Sequence, residues 1–344
     1  MERTLFGKPA RFDGGLHEIA PGAFAWLQPN GEWGESNAGL VVGAGEALLV
    51  DTLWDVRLTR RMLDAIDSRV GVPIRRLVNT HSDGDHVWGN QLLEGSEIVA
   101  TETAAEVIRE EPPATLQRFK SIAPVLGLVG GLPLVSRLHV GELGGYLQNM
   151  LGPYDFSDVR LTPPTRTFSG ELAWEAGGRE VRLLQVGPAH TLGDLIVHVP
   201  DARVVFAADV LFVGVVPVMW AGPTPNWIAA LDRILSLDPA VVVPGHGPVS
   251  GTAEVRALRD YLAWVEAAAQ PRLADGLSVG ETARELVLGD EYRRAPWADW
   301  DSPERIVITV ATIDRHRRGG GSVGARQRAG LFAEVAALAR ELGE

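Results

Sequence analysis

Four apolar runs along the chain each end at a histidine or an aspartate. They are LVNTHSDGDH at 77–86, LLQVGPAH at 183–190, VVFAAD at 204–209 and VVVPGH at 241–246. Short apolar runs of this kind are typical of buried β-strands, and a strand is stiff enough to aim the side chain at its end. We therefore expect loops at the ends of one sheet to bring seven side chains together. The expected set is His81, Asp83, Asp85, His86, His190, Asp209 and His246.

Between these runs the pattern alternates between strand and helix. Apolar residues from Leu58 to Val70 recur at the 3.6-residue spacing of a helix, between predicted strands at 47–50 and 75–80. Further β-like runs follow from Thr167 onward, and Thr224-Pro225 is a typical helix start. This alternation predicts an α/β architecture built in layers.

Two stretches depart from the alternation. Residues 111–166 are rich in Pro and Gly and lose clear periodicity, so we interpret them as an insertion or lid over a site. Their apolar run, Ala123–Val135, is interrupted by prolines and glycines and is too short to span a membrane, so a lid or buried loop is expected there. Beyond Gly251 only helical patterns remain. The predicted division is a catalytic domain at 1–250 and a helical C-terminal region at 251–344.

Composition narrows the class of protein. The chain has 344 residues, of which 46% are hydrophobic and 22% charged, as in an ordinary globular protein. Its net charge of -12 disfavours binding to nucleic acid, which depends on Lys and Arg. Cysteine is absent, so any metal must be bound by nitrogen and oxygen donors. The first 15 residues lack the pattern of a secretory signal, and we expect a cytoplasmic protein that binds no membrane.

The HSDGDH segment carries an unusual density of ionisable groups. Two imidazoles and two carboxylates lie within six residues, after a predicted strand and before a predicted helix. Taken alone, Asp83 and Asp85 are equally typical of helix N-cap residues. Carboxylates brought together away from water repel one another, whereas a divalent cation turns the same cluster into an attractive one. Because the downstream histidines recur in the same setting, we interpret the segment as part of a metal site.

These motifs resemble those of the metallo-β-lactamase superfamily, over roughly Leu16 to Gly251. The matching motifs, in the family's order, are Asp51-Thr52, HSDGDH followed by Gly89-Asn90, PAHTLGD around His190, Asp209 after a strand, and PGHG around His246. The resemblance implies a four-layer αβ/βα sandwich with a one- or two-metal site at one edge of its sheets. It also implies a metal-bound hydroxide that attacks the substrate.

Carried over residue by residue, the resemblance assigns ligands to two metal positions. His81 and His190 would bind the first metal, Asp85, His86 and His246 the second, and Asp209 would bridge both. Asp83 stands where most of the family has a histidine. Zinc is the expected ion, but an oxygen donor at this position also favours manganese or iron, unless the first position is weak and one metal suffices. Asp85 or Asp209 would orient the hydroxide and pass its proton towards the leaving group, and Asp51 would bond a ligand histidine or a loop amide.

Other candidate residues gain less from the pattern. Tryptophan is more often a core residue than a ligand contact, but Trp33, Trp88 and Trp220 lie on Gly- or Pro-rich segments near the motifs, and we expect them in a pocket. The remaining histidines lie outside the strand-end motifs and are interpreted as surface groups or as polar groups whose hydrogen bonds are satisfied. They are His17, His139, His198 and His316.

The first hypothesis is a metallo-hydrolase acting on an ester, thioester or lactone of an apolar small molecule, because an apolar insertion accompanies the metal motif. A β-lactam ranks lower, and nuclease activity is disfavoured by the acidic charge. A second hypothesis is a metal-dependent cyclase or dehydratase on a polyketide-like carbonyl compound, motivated by Asp83; an iron-dependent oxygenase has less support. The third is a non-catalytic, metal-stabilised interaction module, with the C-terminal helices forming a homodimer.

Overall fold

Two β-sheets stack face to face and form the centre of the protein. The structure, a computed structural model, describes residues 3–110, 112–130, 140–321 and 325–343. The seven strands of the first sheet lie in chain order: β1 (Gly15–Ala20), β2 (Ala23–Leu27), β3 (Ala38–Val42), β4 (Ala47–Val50), β5 (Ile74–Val78), β6 (Glu97–Thr101) and β7 (Arg166–Phe168). The second sheet contains β8 (Glu171–Ala176), β9 (Arg179–Gln185), β10 (Leu195–Val199), β11 (Val204–Phe212) and β12 (Val241–His246), again with neighbours in sequence paired.

Each sheet changes from antiparallel to parallel pairing along its width. Strands β1 to β4 pair antiparallel, whereas β4 to β7 are parallel. In the second sheet β8 to β11 are antiparallel and β12 is parallel to β11. Parallel strands need long crossovers and cover on both faces, which the helices provide.

The strand periodicity explains why the sheets stack. In β2, Ala23 and Ala25 face the second sheet, while Phe24 and Trp26 between them pack against helices on the outer face. Small residues inside bring the sheets close together; Gly39 lies so near the ring of Phe206 that a Cβ would stand 2.4 Å from it. The inner core is therefore formed by both sheets, as in other sandwiches.

Helices cover both outer faces. They are α1 (Val56–Val70), α2 (Gly84–Val87), α3 (Glu102–Glu110), α4 (Ala114–Gly130), α5 (Val140–Leu151), α6 (Thr224–Ser236), α7 (Thr252–Ala274), α8 (Val279–Leu288), α9 (Asp290–Arg293), α10 (Ile306–Arg317) and α11 (Ala325–Leu342). One apolar cluster joins α1 and α5 to the first sheet, and another joins α6, α7 and α10 to the second. The predicted αβ/βα sandwich with C-terminal helices is confirmed.

The buried loop that was one alternative for Ala123–Val135 is wrong as far as Gly130, because this part of the insertion is helical. The insertion forms α4 and α5, which pack against each other. The glycines that weakened the helical pattern allow this packing: a Cβ on Gly144 would lie 2.3 Å from the backbone nitrogen of Gly127. Pro124 is accommodated inside α4. The remainder of the predicted lid at 131–139, with His139, lies outside the described residues.

The C-terminal helices pack onto the rest of the chain. The apolar residues expected on helical faces, among them Val255, Leu262, Val310 and Ile313, are buried in the same cluster as strand β11. Because these faces are covered within the chain, a homodimer would have to use another surface. Helices α8 and α9 were not anticipated from the sequence. Over the described ranges, no helix combines the length and hydropathy needed to cross a bilayer.

Candidate metal centre

All seven predicted donors meet at one edge of the sandwich. His81 follows β5, and Asp83, Asp85 and His86 lie in or directly before the single turn α2. The remaining three come from the second sheet, with His190 in the β9–β10 loop, Asp209 within β11 and His246 at the end of β12. The strand ends therefore bring together residues separated by up to 165 positions (246 minus 81).

The donors form two groups that are compact enough for a metal ion. His81, Asp83 and His190 form one group, and in it the ligand atoms lie within 4.8 Å of one another. Asp85, His86 and His246 form the second, within the same limit. These two groups correspond to the first and second metal positions that the resemblance to the metallo-β-lactamase superfamily implied.

Asp209 lies between the two groups. Its carboxylate oxygens approach Nε2 of all four histidines, at 3.0 Å from His86, 3.4 Å from His190, 3.5 Å from His246 and 3.9 Å from His81. Only 5% of this side chain is exposed. A buried carboxylate in such a position is suited to share its oxygens between two cations.

Asp83 occupies the N-cap position of α2 but does not cap the helix. Its side chain makes no capping hydrogen bond. Instead, Oδ2 lies 3.1 Å from Nε2 of His190. The capping alternative is therefore not realised, and the carboxylate points to the place where the family's second histidine would be expected.

Three of the histidine rings are held through Nδ1, which leaves Nε2 directed into the cluster. Nδ1 of His190 donates to the carbonyl oxygen of Val218 at 2.6 Å, and Nδ1 of His86 lies 3.0 Å from Oδ2 of Asp51. Nδ1 of His81 lies 3.0 Å from the hydroxyl of Thr80, which itself donates to Asp51 at 2.6 Å. Such outer contacts fix the tautomer and orientation of metal-binding histidines.

Asp51 is therefore the common anchor of the HSDGDH segment. Besides His86 and the Thr80 hydroxyl, it accepts a hydrogen bond from the backbone N–H of Thr80 at 2.8 Å. The sequence predicted a bond either to a ligand histidine or to a loop amide, and the structure contains both. Asp51 has a φ of 64°, an unusual conformation for a residue with a side chain. Local strain of this kind is common next to functional groups.

The position of Asp209 depends on an irregular backbone next to it and on a glycine in the neighbouring strand. The residue before it, Ala208, has a φ of 45°, and the pairing between β11 and β12 shifts its register there. Gly245, in the PGHG motif, packs directly on the carboxylate: a Cβ at this position would lie 1.9 Å from Oδ1 of Asp209. The glycine is required because no side chain fits between the two strands here.

The charges of the cluster strongly perturb its titration. Burial, together with the charge of His86, lowers the pKa of His81 to about 4. Burial also acts to lower the pKa of His190, but the neighbouring Asp209 and Asp83 outweigh it and raise that pKa to about 9. The four surrounding histidines hold the pKa of Asp209 well below its usual range, against the effect of burial. Protons and cations thus compete for one acidic, histidine-rich cluster.

The donor set fits divalent metal ions. Nε2 of His81, Nε2 of His86 and Oδ1 of Asp209 are buried, and although the last two lie 3.0 Å apart, none of the three atoms makes a hydrogen bond of acceptable geometry. Buried polar atoms without partners are costly, and here all three belong to the cluster. Neutral imidazole nitrogens and carboxylate oxygens are donors that zinc, manganese and iron accept.

A largely apolar pocket of about 290 Å³ opens onto the cluster, and Asp83, Asp85, His190, Asp209 and His246 form part of its lining. Its aromatic lining is Trp33, Trp54, Trp88, Phe119, Phe212, Trp220 and Phe332. The prediction that Trp33, Trp88 and Trp220 lie in a pocket is confirmed. Leu116 and Phe119 of α4 and Leu143, Leu147 and Met150 of α5 also line it, so the insertion does border the site.

The other candidate histidines and two arginines lie outside the metal cluster. The His17 and His316 side chains bond to backbone carbonyls, at Gly14 and Ala221, as expected. His198 differs from the expectation, because it is buried within β10 and its Nδ1 has no hydrogen-bond partner among the described residues. Arg305 and Arg328, which line the pocket from the C-terminal region, were not anticipated. Nothing in the sequence distinguished them, because the chain is rich in scattered arginines.

Comparison with known proteins identifies the family. Residues 31–246 match the family model described as the metallo-beta-lactamase superfamily, which covers more than half of the chain and every donor in the cluster. The chain belongs to this superfamily. Its solved members show the same fold: a metallo-beta-lactamase from Pontibacter korlensis superposes with a TM-score of 0.54 at 17% identity, over 73% of this chain and 99% of that one.

Longer proteins that are similar to this chain include alkylsulfatases. A linear primary-alkylsulfatase from Pseudomonas sp. is 26% identical over 270 residues, covering 70% of this chain and 48% of its own. The alpha subunit of a 2,4-dinitroanisole O-demethylase from Nocardioides sp. is 26% identical over 254 residues, covering 71% and 58%. The structure of an inverting sec-alkylsulfatase from Pseudomonas sp. has a TM-score of 0.64 at 16% identity, covering 88% and 50%. The chain thus spans about half the length of the curated relatives it matches.

Proposed function

We propose that this protein is a metal-dependent hydrolase that cleaves an ester-type bond in an apolar small molecule. The observation that carries the proposal is the convergence of seven nitrogen and oxygen donors on an apolar pocket. Catalytic sites commonly combine such a pocket with a few polar groups of perturbed pKa. Residues 1–250 would carry the chemistry, and the helical region at 251–344 would complete the pocket wall.

The ligand assignment follows the two groups. His81, Asp83 and His190 would hold one ion, and Asp85, His86 and His246 the other, with Asp209 shared. Zinc remains the first expectation, and the extra carboxylate oxygen of Asp83 favours manganese or iron. When bound, such ions supply a nucleophilic hydroxide at neutral pH and polarise the oxygen of the scissile bond.

Asp209 and Asp85 would have different roles in this reaction. Asp209 is surrounded by the four histidines and stays anionic, which suits a bridging ligand rather than a proton carrier. Asp85 is more exposed, at 15% of its side chain, and lines the pocket with Oδ2 3.4 Å from Nε2 of His246. We assign to Asp85 the orientation of the attacking group and the transfer of its proton to the leaving group.

The relatives guide the choice of bond. An alkyl sulfate is a sulfate ester of an apolar alcohol, and the pocket beside the cluster is lined mainly by aromatic and aliphatic side chains. Carboxylic esters, thioesters, lactones and sulfate esters of apolar groups are therefore the substrates to test first. A β-lactam ranks below them.

The test is a panel of substrates offered to protein loaded separately with zinc, manganese or iron. The panel contains 4-nitrophenyl octanoate, an octanoyl thioester, a γ-lactone, octyl sulfate and a β-lactam. We expect turnover of at least one apolar ester, and Asp85→Asn should lower kcat about 100-fold or more, with the metal content of the variant measured alongside because Asp85 also belongs to the second group of donors. Asp232→Asn, an exposed aspartate on α6, is the matched control. Inactivity on the whole panel with metal bound would reject the proposal.

A cyclase or dehydratase acting on a polyketide-like carbonyl compound is the second candidate. Asp83 favours it, since an altered first metal position would hold a hydroxide poorly, and in this reaction the metal stabilises an enolate rather than generating a nucleophile. The mass of the product separates the two reactions: hydrolysis adds the mass of water, whereas cyclisation conserves mass or loses water. A non-catalytic interaction module has less support, because the helical faces that motivated it are buried within the chain.

A further inference from the structure

One wall of the pocket consists of three aromatic rings with a guanidinium at each end. Phe332 lies between Trp33 and Trp220, with ring centroids 5.6 Å and 6.2 Å away. The Arg305 guanidinium stacks over Trp33 at 4.4 Å, and the Arg328 guanidinium over Trp220 at 4.7 Å. All five side chains line the pocket. Such a wall offers both apolar contact and positive charge to whatever the pocket binds.

Arg305 is buried to an unusual degree for an arginine. Only 1% of the residue is exposed, and within the described part of the chain no atom accepts a hydrogen bond from Nε or Nη2. A buried charge is expensive unless it is paired and hydrogen-bonded, because water no longer solvates it. The aromatic ring of Trp33 offsets only part of that cost. Arg305, which lines the pocket, therefore has two hydrogen-bond donors without an acceptor among the described residues.

Charged groups of both signs lie at this wall. Glu304, next to Arg305, is also buried and accepts a hydrogen bond from the hydroxyl of Tyr146 at 2.9 Å. Arg305 and Arg328 contribute positive charge to this wall, and Glu304 contributes negative charge. Glu110, which also borders the pocket, is exposed, so solvent screens its charge.

We infer that Arg305, assisted by Arg328, binds an anionic oxygen group of the substrate, a carboxylate or a sulfate. The inference rests on the proposed function, because the molecule that carries the anionic group is the substrate of the metal centre. A planar guanidinium forms paired hydrogen bonds with carboxylate or sulfate oxygens, and the rings beside it accommodate an alkyl chain. The substrate would be an amphiphile with one apolar part and one negative group.

This subsite would be a property of this chain rather than of the shared catalytic core. Arg305, Arg328 and Phe332 all lie beyond the matched range of 31–246. Arg305 directly precedes α10, and the other two lie on α11. The C-terminal helices would then determine which substrates are accepted, while the metal centre supplies the reaction.

The test measures binding without turnover, on the metal-loaded protein. Octanoate, octane-1-sulfonate and octan-1-ol share one chain length and differ in the head group, and calorimetry gives the Kd of each. Arg305→Met should weaken binding of the preferred anion about 10- to 100-fold, as expected for a lost charged hydrogen bond, and change octanol binding less than about twofold. Arg305→Lys should retain part of the anion affinity. Comparing the octanoate and sulfonate arms distinguishes a carboxylate from a sulfate.

Two further variants keep the result interpretable. Arg328→Met should also weaken anion binding, which provides a second measurement if Arg305→Met fails to fold. Arg294→Met, at an arginine with 77% of its side chain exposed, is the control and should bind all three probes like the wild type. Unchanged anion affinity in both Arg305→Met and Arg328→Met, or an equal loss for octanol, would overturn the inference.

The outcome is independent of whether esters are hydrolysed. Inactive protein that still loses anion affinity in Arg305→Met would retain the subsite and reject the hydrolase. Active protein whose variants bind anions as the wild type does would retain the hydrolase and reject the subsite. Metal content measured on each variant checks that the metal centre itself is unchanged.

Discussion

Asp83 contacts His190 across the metal cluster: Oδ2 of its carboxylate lies 3.1 Å from Nε2 of the imidazole. The two residues come from opposite sheets, 107 positions apart in sequence. Burial alone would raise the pKa of Asp83, but the hydrogen bond to His190 and the charges of His190, His81 and Arg328 lower it instead. An anionic oxygen donor therefore occupies the position at which the superfamily pattern has a histidine.

This relationship predicts that Asp83 is required for one metal ion but not for the other. Asp83→Ala should reduce the bound metal from two equivalents to one, because only His81 and His190 would remain beside Asp209 in the first group. Asp83→His should keep both ions and shift the preference towards zinc. Elemental analysis after dialysis against metal-free buffer measures the ratio. Unchanged stoichiometry in Asp83→Ala would remove Asp83 from the coordination shell.

Asp51 is predicted to act through the residues it positions. Asp51→Asn weakens the contacts to Nδ1 of His86 and to Thr80, so metal affinity should fall about 10- to 100-fold while the fold is retained. Competition with a chromogenic chelator gives the affinity. Asp67→Asn, on the exposed side of α1, should behave as the wild type. Equal affinities in both variants would mean that Asp51 serves the fold alone.

Gly245 is predicted to be essential for turnover although it has no side chain that could bind a metal ion. The Cβ of Gly245→Ala would stand 1.9 Å from Oδ1 of Asp209, so the carboxylate must move. A displacement of about 1 Å at a catalytic group can cost about 100-fold in rate, and we expect a loss of that order in turnover and weaker metal binding. Gly95→Ala, where nothing lies within 4 Å of the added Cβ, is the control. Wild-type turnover in Gly245→Ala would contradict this close approach.

Glu35 is predicted to make stability depend on pH near neutrality. Burial, followed by the charge of Glu32, raises the pKa of this fully buried carboxyl from 4.5 to about 7. Because the pKa is raised in the folded protein, the contribution of Glu35 to the free energy of unfolding is fully present below the unfolded-state pKa of 4.5. This contribution is lost as the pH rises through about 7. The loss amounts to about 3 kcal/mol of the free energy of unfolding, from the size of the shift.

The measurement compares wild type with Glu35→Gln, which stays neutral. Between pH 5 and pH 8 the free energy of unfolding of the wild type should fall relative to that of the variant, as followed by denaturant titration. Glu106→Gln, on the exposed face of α3, should give a curve parallel to the wild type. A parallel curve for Glu35→Gln as well would show that Glu35 does not titrate in this range.

The residues of the metal cluster could be predicted from the sequence because each of these strands ends at a histidine or an aspartate. Apolar runs predicted the strands before His81, His190, Asp209 and His246, and the structure brings all four residues to one edge of the sandwich. The same reasoning left the role of Asp83 open, since an N-cap and a donor have the same local sequence. Only the direction of its side chain, towards His190, distinguishes them.

The pocket wall was harder to anticipate. Glycines such as Gly127 and Gly144 weaken a helical pattern, yet here they allow α4 and α5 to approach each other closely. Arg305 reaches the pocket through packing of the C-terminal helices on the second sheet, a long-range contact without a local sequence pattern. The pocket wall is therefore formed by tertiary packing, which the periodicity of the sequence does not reveal.

The central claim is that the seven donors hold divalent cations. X-ray diffraction at the absorption edge of zinc or manganese, on crystals grown with that metal and without chelator, tests it most directly. We predict two anomalous peaks about 2.0 to 2.3 Å from the donor atoms, one beside His81, Asp83 and His190 and one beside Asp85, His86 and His246, with Asp209 between them. A map without anomalous density there, with the side chains turned away from one another, would contradict the account.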